Sequence, residues 1–162
     1  MSHNLYTHLR ASFPESFKSL NTTAVETIDA GTEPLFYTWN DLEQGSAMLA
    51  NDLKKLGVSK GDCVAVQTHK SVEAMMLYLA TLRVGGVFVP LNTAYQAGEM
   101  AHFISDSKPT VVVCDAANEA WLKPLCAEHG VAHVVSLNAN RTGSLLELAA
   151  QQTHTFATVN SK

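Results

Sequence analysis

The sequence is poor in arginine, in cysteine and in long apolar runs, and each shortage excludes a class of function. Arginine occurs only at Arg10, Arg83 and Arg141, and the one adjacent basic pair is Lys54-Lys55. With 11 Lys and Arg against 15 Asp and Glu, the formal net charge is −4. Nucleic acid and anionic membrane both call for a basic patch, so neither is expected as a partner. The cysteines, Cys63, Cys114 and Cys126, are too few and too irregularly spaced for a disulfide framework. Two of them fall in apolar, strand-like runs, where a free thiol behaves as a small hydrophobe. The N-terminal residues Met1-Ser2-His3-Asn4-Leu5 show no basic region followed by an apolar stretch, so no signal peptide is read. These features predict a reducing, cytoplasmic location. The longest apolar run, Ala74-Met75-Met76-Leu77-Tyr78-Leu79-Ala80, is far too short to span a bilayer.

What remains is a chain of 162 residues with 46% hydrophobic content, enough for one domain with a real core. Residues 4–13 predict a short helix with Leu5, Leu9 and Phe13 along one side. A polar stretch, 14–23, leads to strands at 24–28 and 35–37, joined as a hairpin by the turn Asp29-Ala30-Gly31-Thr32. From Thr38 the period becomes helical. Thr38 serves as N-cap with Asp41 three residues on, and Leu42, Leu49, Leu53 and Leu56 mark one face. Gly57 ends that helix. A strand at 63–67 follows, and then a helix capped by Ser71, with Glu73 in its first turn and apolar residues nearly all round. Gly85-Gly86 turns it into a strand at 87–89, which Pro90 terminates. Then come a helix at 96–105 with Met100, Phe103 and Ile104 inward, a strand at 110–114, a helix at 118–128, a strand at 131–135 and a helix at 144–151. Short strands apolar on both faces, alternating with helices, predict an α/β fold: an N-terminal hairpin region, then a mostly parallel sheet with helices on both faces. Residues 1–150 are expected to form this unit. Residues 151–162 read as a polar tail without core contacts.

Self-contained catalytic chemistry is hard to find. His129 and His133 have helical metal-ligand spacing, but Gly130 and the strand after it keep them off one helical face. Gly85-Gly86 follows a helix and precedes a strand, the reverse of a dinucleotide fingerprint. No Walker-type phosphate loop is present. Ser71 lacks the Gly-x-Ser-x-Gly context of a hydrolase nucleophile and reads as an N-cap. Met75-Met76 reads as core packing. Leu91-Asn92-Thr93-Ala94-Tyr95 lies just past the end of a parallel strand, where open α/β sheets bind ligands.

Several segments, in order, resemble motifs of the adenylate-forming superfamily of acyl-CoA synthetases, luciferases and peptide-synthetase adenylation domains. They are Thr38-Trp39-Asn40-Asp41-Leu42 (with Trp39 where Tyr is usual), Leu56-Gly57-Val58-Ser59-Lys60-Gly61-Asp62-Cys63-Val64-Ala65, Lys70-Ser71-Val72-Glu73-Ala74, and Gly85-Gly86-Val87-Phe88-Val89-Pro90-Leu91-Asn92-Thr93-Ala94-Tyr95. Phe103-Ile104-Ser105-Asp106-Ser107-Lys108-Pro109 and Val111-Val112-Val113-Cys114-Asp115 complete the series. Residues 4–150 carry the likeness, and the wording around 70–95 and 111–115 is similar to the malonate–CoA ligase branch.

The resemblance implies part of an adenylate-forming fold and an ATP-dependent acid–thiol ligase as the parent protein. It implies ATP, Mg²⁺ and CoA as its cofactors and co-substrates, malonate or a related carboxylate as substrate, and the remainder of the ligase chain as partner. No catalytic or metal-binding residue of the family's motifs maps onto this chain, which alone is expected to be inactive. None of Arg10, Arg83 and Arg141 matches a position for malonate's second carboxylate. Leu91, Asn92 and Thr93 match the loop that flanks the CoA channel. The alternatives are a ligase of another acyl branch and a free-standing, non-catalytic α/β binding module.

Overall fold

The computed structural model describes residues 4–28 and 33–160. In chain order the elements are α1 (Leu5–Arg10), α2 (Phe17–Leu20), β1 (Thr23–Thr27), β2 (Leu35–Thr38), α3 (Trp39–Lys55), β3 (Cys63–Gln67), α4 (Val72–Arg83), β4 (Val87–Pro90), α5 (Ala97–Ser107), β5 (Val111–Cys114), α6 (Glu119–Glu128), β6 (His133–Ser136) and α7 (Ser144–Ala149). β1 and β2 form an antiparallel pair. The turn expected at 29–32 lies outside the described residues. β3 to β6 form a four-stranded parallel sheet in the order β4-β3-β5-β6.

The period-2 alternation of strand side chains divides the core in two. Val64 and Val66 of β3 and Val111 and Val113 of β5 face α3, α4 and α7, packing with Leu49, Leu53, Leu77, Ala80 and Leu145. Ala65, Val112 and Cys114 face the other way, onto Met100 and Ile104 of α5 and Leu122 and Cys126 of α6. Strand order explains this arrangement. From β3 the chain steps outward to β4 through α4, then returns across β3 to β5 and steps on to β6 in the opposite direction. Crossovers of constant hand must change faces when the direction reverses. α4 and α6 therefore cover opposite faces, and residues apolar on both sides are required in the strands between them.

Local signals set the boundaries. Thr38 Oγ1 accepts the Asp41 N–H, and the Asp41 carboxylate accepts the Thr38 N–H at 2.7 Å, so the capping box forms in full. Ser71 caps α4 through the Ala74 N–H. At the far end Gly85 has φ 76, the Gly85 N–H bonds the Leu82 carbonyl and the Gly86 N–H bonds the Thr81 carbonyl. This is the paired bonding of a Schellman end, and it needs a residue without a Cβ at Gly85. Burial pushes the Cys114 thiol up to about 12 and the Cys126 thiol up to about 11, consistent with packing roles.

Four expectations are corrected. α1 buries Tyr6, while Leu5 and Leu9 point outward. The six-residue helix packs one ring on α4 rather than presenting an apolar stripe. The 14–23 stretch contains α2, capped by Ser16. Met76 is core, but Met75 is exposed. The polar tail does make core contacts: Phe156 packs on the larger cluster, the Val159 N–H bonds the Arg83 carbonyl, and Asn51 Nδ2 donates to the Thr153 and Thr155 carbonyls.

A partly buried hydrogen bond ties the hairpin to α4. Tyr37 Oη donates to Glu73 Oε1 at 2.6 Å, and Glu73 is buried. Burial, followed by Glu73, pushes the Tyr37 phenol up to about 12. Tyr37→Phe would leave the carboxylate without this donor, so a loss of about 1–3 kcal/mol is expected by urea unfolding at neutral pH. An unchanged unfolding midpoint would show that the bond contributes nothing.

Candidate functional site

The loops leaving β3 and β5 diverge to opposite faces of the sheet, which opens a crevice at the strands' C-terminal ends. Ligands bind at such switch points in open α/β sheets. A cleft of about 340 Å³ occupies this place, lined by Gln67, His69, Thr93, Ala94, Asp115, Ala117 and Asn118. Each wall comes from a different strand end. Gln67 closes β3, Thr93 and Ala94 follow β4, and Asp115 follows β5.

Of the three residues singled out in the sequence, Thr93 lines this cleft. Asn92 shapes the loop: its Oδ1 accepts the Ala94 N–H at 2.9 Å, an Asx turn. Leu91 is buried in the second core cluster and anchors the loop from below. The loop is held from the sheet side by Gln67, which sequence reading passed over. Its amide Nε2 donates to the Asn92 carbonyl at 3.0 Å and to the Tyr95 carbonyl at 2.9 Å. With both amide hydrogens directed at carbonyls, its Oε1 is buried and without a protein partner. The available signal was a polar residue closing an otherwise apolar strand. His69 Nε2 stands 4.0 Å from Asp115 Oδ2, and Asp115 Oδ1 caps the turn at Ala117. The lining therefore offers acceptors, hydroxyl and amide groups and one imidazole, which suits a neutral ligand bearing hydrogen-bond donors better than an anion.

The arginines lie elsewhere. Arg10 pairs with Glu43 at 2.9 Å, and Arg83 is buried between helices. Arg141 lines a separate cavity of about 380 Å³ with Lys70, Tyr37 and Glu73. His129 ends α6 and His133 opens β6. Among the described residues no three His, Cys, Asp or Glu side chains are grouped to hold a metal ion, and no helix is long and apolar enough to cross a membrane. The sequence carries no Gly-rich phosphate loop beside them.

A parallel sheet with helices on both faces and a cleft at its switch point places the chain in the open α/β class. The AMP-binding enzyme family matches residues 18–159, and the chain belongs to that family. Apo MatB from Rhodopseudomonas palustris superposes with a TM-score of 0.87 at 38% sequence identity, covering 99% of this chain and 30% of MatB. The ATP-bound form of the same protein gives a TM-score of 0.82 at the same identity and coverage. Malpinin synthetase of Mortierella alpina is 34% identical over 97 residues, 60% of this chain and 1% of that synthetase. The chain thus spans under a third of the length of these relatives and corresponds to the N-terminal part of the adenylate-forming fold.

Proposed function

We propose that the chain is the N-terminal portion of an ATP-dependent acyl-CoA synthetase that converts malonate, ATP and CoA into malonyl-CoA, AMP and pyrophosphate. The observation that carries this reading is the 38% identity to MatB over 99% of the chain. It stands beside the malonate–CoA ligase wording of residues 70–95. In such a reaction the carboxylate attacks the α-phosphate of ATP to give an acyl-adenylate and pyrophosphate, and the CoA thiol then displaces AMP. Residues for nucleotide, metal and the second carboxylate are assigned to the remainder of the ligase, so this chain alone is inactive. Its own part is one wall of the active-site region and the loop 91–93 beside the path of CoA. We place the enzyme in the cytoplasm.

The acceptor-bearing cleft that Thr93 lines supports the CoA assignment, because a pantetheine arm is uncharged and carries amide and hydroxyl donors. In the complete enzyme Thr93→Trp should raise the KM for CoA about tenfold while malonate-dependent pyrophosphate release from ATP stays within about twofold. Unchanged thioester kinetics would remove the loop from the CoA path. A panel of malonate, medium-chain and aryl acids tests the substrate. Malonate should have the highest kcat/KM, and preference for a monocarboxylate would move the enzyme to another branch.

A further inference from the structure

One side-chain amide holds both ends of the segment that lines the switch-point cleft. Thr93 and Ala94 are the lining residues of the loop after β4. They lie between the carbonyls of Asn92 and Tyr95, and Gln67 Nε2 donates to both, at 3.0 Å and 2.9 Å. Carbonyl oxygens only accept, so the amide is fixed with its nitrogen towards the loop. Gln67 closes β3, a strand paired on one side with β4 and on the other with β5, and it is 0% exposed. The Leu91 N–H bonds the Val66 carbonyl at 2.8 Å, which ties the entrance of the loop to the same strand.

The arrangement costs stability. Committing both amide hydrogens to the loop leaves Gln67 Oε1 buried without a protein partner, and a buried acceptor in that position is destabilising. An apolar side chain at the end of β3 would pack without that loss, but it could not fix the two carbonyls. What the glutamine supplies is a defined place for Thr93 and Ala94, set from a rigid element behind them.

We propose that Gln67 is a positioning residue for the thioester-forming half-reaction. Acting through the Asn92 and Tyr95 carbonyls, it holds Thr93 and Ala94 where the cleft admits the pantetheine arm of CoA, and it takes no part in adenylate formation. The proposal rests on the ligase reading above.

In the complete enzyme Gln67→Met, similar in size but without donors, should raise the KM for CoA about tenfold, while malonate-dependent pyrophosphate release stays within about twofold. Gln67→Glu supplies a second readout. As a carboxylate it donates nothing to the two carbonyls; protonated, it donates one bond, and burial favours the protonated form. Its kcat/KM for CoA, as a fraction of the parent's, should therefore rise about threefold or more from about pH 8 to about pH 6, while that of Gln67→Met stays level. His69 and Asp115, the titratable groups lining the cleft, are common to parent and variants and cancel in the ratio. In the 162-residue chain, the Ala94 and Tyr95 amides should exchange with deuterium at least about tenfold faster in Gln67→Met, relative to the amides of β3 and β5. An unchanged KM for CoA in Gln67→Met overturns the proposal. So does a parallel loss of both half-reactions, which would make Gln67 a residue of the fold alone, and so does a Gln67→Glu fraction that follows Gln67→Met at both pH values. If the unsubstituted enzyme makes no acyl-adenylate from any carboxylate, the ligase reading fails. Amide exchange alone then decides whether Gln67 holds the loop, and equal rates in parent and variant overturn it.

Discussion

Asp52→Asn is expected to raise the melting temperature at pH 7.5 by about 2–6 °C and to give no gain near pH 4. Asp52 lies on α3 with 2% exposure, and its Oδ2 is buried without a partner. Burial pushes its carboxyl up from 3.8 to about 6, and Lys55 offsets only part of that. The folded state thus holds the proton more tightly than the unfolded chain. The stability this group contributes is fully present below about pH 4 and is lost as pH rises through about 6. A shift of this size corresponds to roughly 2–3 kcal/mol at neutral pH. Asparagine removes the buried charge but keeps a buried amide, so the expected gain is smaller than that figure. The difference between variant and parent isolates Asp52 from carboxylates that titrate in the opposite sense. Two melting curves that stay parallel from pH 4 to pH 7.5 would show that Asp52 does not carry this dependence.

The same residue shows where sequence reading stops. Asp52 sits within an amphipathic helix whose leucines were legible, and nothing in the pattern marks its side chain as buried. The features that were legible are those written in local chemistry. Thr38 with Asp41, Ser71 with Ala74, and the Gly85-Gly86 corner need only neighbours in sequence. The apolar run 63–67 and the β-branched run 110–114 announced strands buried on both faces. Strand order is another matter. Several sheets satisfy the same alternation of strand and helix, and the alternation does not select the order β4-β3-β5-β6 among them. The switch-point cleft follows from that order, so Gln67, His69 and Asp115 could not be assembled into a site beforehand. The loop 91–93 was singled out through resemblance and through its place after a strand. The tail was misread for a related reason: apart from the Phe156 ring its contacts use backbone groups, which composition does not display.

One of those carbonyls, that of Phe156, meets Arg83, and the second large effect is expected there. Arg83→Met should lower stability by about 3–5 kcal/mol, a drop of roughly 6–15 °C in melting temperature. Arg83 is 5% exposed. Nη1 donates to the Glu43 carbonyl at 2.9 Å and to Ser46 Oγ at 3.0 Å, and Nη2 donates to the Phe156 carbonyl at 3.0 Å. Its central carbon lies 4.5 Å from the centre of the Tyr6 ring and 5.9 Å from that of Phe156. One side chain therefore joins α1, α3, α4 and the C-terminal segment. Burial lowers its pKa, and the nearby Tyr6 and Glu43 work in the opposite direction. Methionine fills similar space but leaves the Phe156 carbonyl and the Ser46 hydroxyl without this donor, each a loss of about 1–3 kcal/mol when buried, while the Glu43 carbonyl keeps its bond from Ser46 Oγ. It also removes the cation from the aromatic faces. Lysine keeps the charge but not the planar fork, so Arg83→Lys should recover less than half of the loss. Hydrogen exchange should localise the effect. Amides of 5–10 and 153–160 should exchange faster in Arg83→Met, with β3 and β5 following only as global stability falls. Arg10→Met, at a partly exposed pair with Glu43, serves as the control and should change stability by less than about 1 kcal/mol. If Arg83→Met melts within 2 °C of the parent chain and the two terminal segments keep their protection, apolar packing of Tyr6 and Phe156 holds them in place without the cation.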